Sequence, residues 1–172
     1  QELDSYHVIR NLIKLKDKVL HIGNYQWDIG TKRRVYVVGA GKACNAMAMA
    51  VDEVLGPLIT KGIVIVKKLE EGDRLQHIEL IAGGHPLPNQ SGWRASQDIL
   101  QLVDGATPED LFIGLISGGS SALMSCPIAG ITLEDEIQIT DQLLKCSARI
   151  LEINAIRRHI SATNGGRLAQ KI

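Results

Sequence analysis

The sequence predicts an α/β protein: a three-layer αβα domain whose sheet is mainly parallel. Three observations carry this expectation. Short β-branched apolar runs alternate with helical segments of about 10 to 18 residues, the pattern of βαβ units. Aromatic residues make up 3% of the chain while hydrophobic residues reach 45%, so the core is aliphatic, which suits parallel strands covered on both faces. Three of the four candidate strands run into loops that are rich in glycine or carry histidine. In an open parallel sheet such loops share the carboxyl rim, where ligands bind.

Taken in order, residues 3–20 place Val8, Ile9, Leu12, Ile13, Leu15, Val19 and Leu20 near helical spacing. Asp4-Ser5 offers an N-cap and Gly23 a stop, so a first helix is expected there. A loop follows over 24–34. Residues 35–38 read as the first buried strand, ending at Gly39-Ala40-Gly41, and 43–55 as a helix that Gly56-Pro57 ends. A second strand is expected at 63–66, a charged loop at 67–74, and a third strand at 78–82 running into Gly83-Gly84-His85-Pro86. The next helix is capped near Ser91 and reaches Val103. The acidic turn at 104–110 reads as a solvated loop. A fourth strand at 111–116 ends in Ser117-Gly118-Gly119-Ser120-Ser121. Thr132-x-x-Asp135 resembles a capping box opening a helix over 132–150, and 152–161 reads as a short helix or irregular segment.

The 172 residues fit one domain, 1–172. Nineteen basic residues balance nineteen acidic ones, so neither a nucleic acid nor a membrane is an expected partner on electrostatic grounds. Cys44, Cys126 and Cys146 form no CxxC pair and no zinc spacing; thiols in a reducing compartment are the simpler reading, and no metal ligand set is expected. No signal peptide or apolar run of about 18 residues is present, so the cytoplasm is the expected compartment. Whether the chain forms a homo-oligomer is not fixed by the sequence.

Four motifs carry chemistry. Gly39-Ala40-Gly41-Lys42 sits at a strand-to-helix turn, where glycine lets backbone approach a ligand and the helix start favours an anion. It matches neither the dinucleotide pattern, since Cys44 stands at the last small position, nor the P-loop pattern, since Tyr36 and Ala43 replace its Gly and Ser/Thr. A tight turn with a surface lysine is the alternative. Ser117, Gly118, Gly119, Ser120 and Ser121 offer a run of N–H groups and hydroxyls suited to an anion nest. The same loop resembles a degenerate nucleophile elbow, with Asp135 or Asp141 and His159 downstream in hydrolase order. His85 is held between glycines and prolines at the end of the third strand, as a substrate contact or a structural cap. Asn154, Arg157, Arg158 and Ser161 fall at helical spacing, and an arginine fork there matches a carboxylate or phosphate; a solvated basic face is the alternative.

The ordered set GAGKA (39–43), GGHPLP (83–88), ISGGSSAL (116–123), NAIRRHIS (154–161) and NGGRLA (164–169) resembles the N-terminal domain of the type-2 glycerate kinases. The resemblance implies a Rossmann-like domain followed by a smaller C-terminal domain that this chain lacks. It also implies ATP-dependent phosphorylation of D-glycerate to 2-phosphoglycerate with Mg2+, or, for members labelled hydroxypyruvate reductases, NAD(P)-linked chemistry. A binding or split-enzyme domain of the same fold is a further alternative. Under this resemblance Lys42 is the catalytic residue, and Gly39, Gly41 and the 117–121 loop hold phosphate. His85, Asn154 and Arg157 contact a small hydroxy-acid substrate. The family's glycine loop usually reads SGGGSAL, so Ser120 stands where a third glycine is expected.

Overall fold

The chain opens with a short helix and a β-meander where one long helix and the start of the 24–34 loop are expected. In the computed structural model, which describes residues 4–172, α1 (Ser5–Leu12) is capped by Asp4, whose carboxylate accepts from the Tyr6 N–H at 3.0 Å. Leu3 of the expected helix lies outside the described residues. An antiparallel sheet follows: β1 (Ile13–Lys16), β2 (Val19–Ile22) and β3 (Tyr25–Asp28), in that order. The correction has a physical cause. Ile13 and Leu15 alternate with Lys14 and Lys16 at period two as well as fitting a helix. Asp17 and Lys18 then take φ of 50° and 63°, which is the positive-φ pair of a two-residue type I′ hairpin turn. Gly23 turns β2 into β3 instead of stopping a helix.

Beyond the meander, the four expected strands form one parallel sheet: β4 (Arg34–Ala40), β5 (Lys61–Val66), β6 (Ile78–Ala82) and β7 (Asp110–Ile116). Their order is β6-β5-β4-β7. The chain therefore builds outward from β4 to β6, then crosses back to lay β7 on the other side of β4. This reversal creates a topological switch point between the carboxyl ends of β4 and β7. The register pairs Ala40 with Ile116, so the loops leaving the two strands emerge side by side.

Side-chain alternation divides the core into two layers. Val35, Val37, Val64 and Val66 pack with Cys44, Ala48, Val51 and Leu55 of α2 (Cys44–Leu55), and with Ile13 and Leu20 of the meander. On the other face, Val38, Ala40, Ile63 and Ile65 pack with Ala95, Ile99 and Val103 of α3 (Gln90–Asp104), and with Leu123 of the single-turn helix α4 (Ser120–Leu123). Both faces are covered, which is the expected three-layer arrangement. The cap of α3 is Asn89, not Ser91: its Oδ1 accepts from the Gly92 N–H at 2.9 Å. The expected helix over 132–150 stops early, as α5 (Leu133–Lys145), with Ser147 at φ 58° in the break, and the segment expected at 152–161 is helical, as α6 (Ile150–Ile160). The Thr132–Asp135 capping box forms reciprocally, at 3.1 and 2.9 Å.

Asp110, expected in a solvated turn, is buried and fixes β4 against β7 at their amino ends. Arg34 donates to it through Nε (2.9 Å) and Nη2 (2.5 Å), and Nη2 also reaches the Gly105 carbonyl. The guanidinium holds the Asp110 carboxyl well below the usual carboxylate range. A depressed folded-state pKa contributes stability above the unfolded value, near 4, and that contribution is lost as pH falls toward the folded value. Thermal melts of wild type and Asp110→Asn should therefore differ most at neutral pH and converge in acid; a gap that is constant with pH would contradict this.

Candidate active site

At the switch point, the turn after β4 and the loop after β7 are stitched to each other. The Lys42 N–H donates to the Gly118 carbonyl at 2.9 Å, and the Ala43 N–H donates to Ser117 Oγ at 3.1 Å. Gly39 and Gly41 are glycines because of this approach. A Cβ on Gly39 would stand 2.0 Å from the Leu115 carbonyl oxygen, and one on Gly41 would stand 1.9 Å from Ser117 Oγ. Cys44 lies beneath, its Sγ 3.5 Å from both Ser117 Oγ and the Leu115 carbonyl; burial pushes its thiol up, away from the thiolate form. α2 starts here with no side-chain cap on its first N–H groups.

The 117–121 loop turns over the same spot. Among the described residues, nothing accepts a hydrogen bond from the Gly118 or Gly119 N–H. Gly119 has φ 90° and ψ −2°, the left-handed conformation from which successive N–H groups form an anion nest. A Cβ there would meet His85 Cδ2 at 3.0 Å, His85 Nε2 at 3.1 Å and Lys42 Cγ at 3.2 Å. The structure thus brings Lys42, Gly118, Gly119 and His85 to one place. Ser120 begins α4; the positive φ falls on Gly119, so serine in place of a third glycine carries no backbone strain. The Ser121 carbonyl accepts from Asn164 Nδ2 at 3.2 Å. Ser117 Oγ accepts from Ala43 and holds the two loops together.

His85 arrives on the loop after β6. Burial first, then the charges of Lys42, Lys67 and Arg157, hold its imidazole below its ordinary value. Arg157, on α6, is 6% exposed, and its Nη2 donates to the Pro86 carbonyl at 2.8 Å. Asn154, one turn before it, is half-buried with Oδ1 enclosed and unpartnered. Arg157 thus holds the backbone of the His85 loop from behind. Glu136 of α5 is fully buried and its Oε2 accepts from Ser125 Oγ at 2.5 Å; burial pushes its carboxyl up, against that hydrogen bond and the charge of Arg157.

Sequence reasoning missed Glu136, because it reads as one of three acidic residues in an ordinary first helical turn. It also missed Asn45, whose Nδ2 donates to Asp73 Oδ2 at 2.5 Å and to the Lys68 carbonyl at 3.0 Å. That contact folds the 67–74 loop beside Lys42, around a cleft of about 240 Å³ that Glu70, Glu71 and Asp73 also line. Among the described residues, no group of three or more His, Cys, Asp or Glu side chains is placed to hold a metal ion. The hydrolase arrangement is not assembled: Asp135 is bound in its capping box, Asp141 pairs with Lys145, and His159 Nδ1 sits 2.7 Å from the Ala155 carbonyl. No helix of the described residues is long and apolar enough to cross a membrane.

The DUF4147 family, described as a domain of unknown function, matches residues 1–172. A glycerate 2-kinase of Pyrococcus horikoshii is 37% identical over 169 residues, covering 98% of this chain and 37% of that protein. A D-glycerate 2-kinase of Thermotoga maritima is 39% identical over 139 residues, 81% of this chain and 33% of that protein. Among solved structures, a Pyrococcus horikoshii protein superposes with a TM-score of 0.82 at 35% identity, covering 98% of this chain and 38% of that one. A glycerate kinase from Thermotoga maritima superposes with a TM-score of 0.72 at 39% identity, covering 80% and 33%. The chain spans about a third of the length of these relatives, 33% to 38%. With the match running from end to end and the Gly-rich loops meeting at the switch point, the chain belongs to the DUF4147 family of type-2 glycerate kinases.

Proposed function

We propose that this chain supplies the phosphate-handling half of an enzyme that phosphorylates D-glycerate with ATP, at the 2-hydroxyl. The convergence of Lys42, the open Gly118 and Gly119 N–H groups and His85 at the β4/β7 switch point carries this reading. Phosphoryl transfer asks a protein mainly for position and for compensating charge. The fit to nucleotide phosphates rests on this donor set of N–H groups and a cation, with the carboxylates of Glu70, Glu71 and Asp73 lining the cleft on the other side of Lys42. The Gly118 and Gly119 N–H groups would hold phosphate oxygens, and Lys42 would offset charge on the transferring group. Gly39 and Gly41 permit the close approach on which that geometry depends. Mg2+ would arrive with the nucleotide and be held chiefly by its phosphates, as is usual for this ion; it would neutralise phosphate charge.

His85 fits the acceptor of the substrate hydroxyl proton. Its lowered pKa keeps it neutral, hence proton-accepting, to below the ordinary imidazole value of about 6.5. The acid limb of the kcat/KM profile for glycerate should accordingly lie below pH 6.5. In His85→Gln that limb should vanish, with a rate loss of about 10²- to 10⁴-fold. A profile of unchanged shape in His85→Gln would assign the proton elsewhere.

The kinase reading is tested with the full-length protein, by following ADP release with D-glycerate, ATP and Mg2+. Parallel reactions contain hydroxypyruvate and NADH or NADPH. Glycerate-dependent ADP release supports the proposal. Nicotinamide oxidation without ATP turnover would replace it with the reductase alternative, and ATP binding without turnover would favour a binding domain.

A further inference from the structure

Two buried charges lie behind the candidate site, and the reaction as proposed uses neither directly. Arg157 is buried on α6 and Glu136 on α5. Of the buried carboxylates among the described residues, Asp110 is held by Arg34, which leaves Glu136 as the counter-charge available to Arg157. A guanidinium stays protonated in any protein environment, and a buried charge persists only when opposed and hydrogen-bonded. The two groups sense each other electrostatically but are not in direct contact within 4.0 Å. Arg157 Nε and Glu136 Oε1 are both enclosed without a partner. Each keeps one anchor: Glu136 Oε2 on Ser125, and Arg157 Nη2 on the Pro86 carbonyl. Pro86 directly follows His85, so the guanidinium grips the backbone that aims the imidazole.

We propose that Arg157 is the positioning residue of the His85 loop and that Glu136, steadied by Ser125, is the counter-charge that keeps Arg157 in place. This assigns Arg157 to the loop behind the substrate. The linkage runs through the charge of Glu136 to Arg157 and from its guanidinium to the backbone of the loop after β6, which sets His85 beside the Gly119 nest. Its kinetic consequence rests on the kinase reading; its electrostatic consequence does not.

The test uses the full-length protein with histidine-selective isotope labelling, following the His85 ring by NMR as pH is varied. The charged groups facing His85 are Lys42, Lys67 and Arg157. Arg157→Gln removes one cation and the grip on Pro86, so the His85 titration should move to higher pH. Glu136→Gln leaves the cation unopposed and should displace the same resonance. The double variant should titrate and melt like Arg157→Gln alone, since each single change breaks the same unit. In the kinase assay, Arg157→Gln should lower kcat by about 10- to 100-fold, the loss expected of a misplaced group, with KM for ATP nearly unchanged. If Arg157→Gln fails to fold, Arg157→Lys, which keeps the charge, takes its place and should retain the wild-type direction of the His85 shift while losing part of kcat. An unmoved His85 titration in Arg157→Gln would overturn the proposal, as would an unimpaired kcat in Arg157→Lys or strictly additive effects of the Glu136 and Arg157 changes. If glycerate proves not to be phosphorylated, the titration and the melting cycle still decide the matter.

Discussion

Replacing Lys42 with alanine in the full-length protein should lower kcat for glycerate phosphorylation by about 10²- to 10³-fold, the loss typical of removing one preorganised electrostatic group, while leaving the fold intact. The two halves of that expectation have separate causes. Lys42 joins the structure through its backbone N–H to the Gly118 carbonyl, which alanine retains. Its side chain is exposed, its stem lying against Gly118 and Gly119. Surface substitutions away from special features change stability within about 0.5 kcal/mol, so the melting temperature should barely move. The charge, in contrast, stands where phosphates would meet the open N–H groups. Lys42→Arg should recover only part of the rate, because a planar fork presents its charge differently from a compact ammonium. Steady-state kinetics beside a thermal melt checks both halves, and an unimpaired Lys42→Ala enzyme would remove the lysine from the mechanism.

Gly39→Ala should have the opposite profile, with a large loss of stability and activity lost as a consequence. The added methyl would stand 2.0 Å from the Leu115 carbonyl oxygen and 2.7 Å from its carbon. These are backbone atoms of the neighbouring strand, so no side chain can rotate away, and β4 must separate from β7. Overpacking a rigid site costs about 1–3 kcal/mol and occasionally more; with backbone on the receiving side, the upper end is expected. At 2–4 °C per kcal/mol for a chain of this size, the melting temperature should fall by about 6–12 °C. Gly114→Ala on β7 is the control, since a Cβ there meets nothing within 4 Å. Equal melting temperatures for the two variants would mean that the close approach at Gly39 is not a constraint.

Particular residues explain what could be read in advance. The parallel strands were legible because burial on both faces leaves continuous apolar runs such as 63–66, which no amphipathic pattern obscures. The glycine loops were legible because a backbone that must come within contact distance of its neighbour admits no other residue, as at Gly39 and Gly41. The amino-terminal meander was hidden: its apolar spacing satisfies both periods over so short a stretch, and its turn uses Asp17-Lys18 where Asn-Gly would have signalled a hairpin. Glu136 and Asp110 were hidden for another reason. Their roles depend on partners 21 and 76 residues away, Arg157 and Arg34, and a carboxylate looks the same in sequence whether solvated or buried. The strand order, and with it the meeting of the loops at the switch point, likewise follows from tertiary packing that no local pattern encodes.

The central claim is that the turn after β4 and the loop after β7 together hold the phosphates of a nucleotide. A crystal structure of the full-length protein with Mg2+ and a non-hydrolysable ATP analogue tests it most directly. Phosphate oxygens should lie within about 3 Å of the Gly118 and Gly119 N–H groups and of Lys42 Nζ, the ordinary hydrogen-bond range. A nucleotide whose phosphates are bound elsewhere, with those donors facing solvent, would contradict the account.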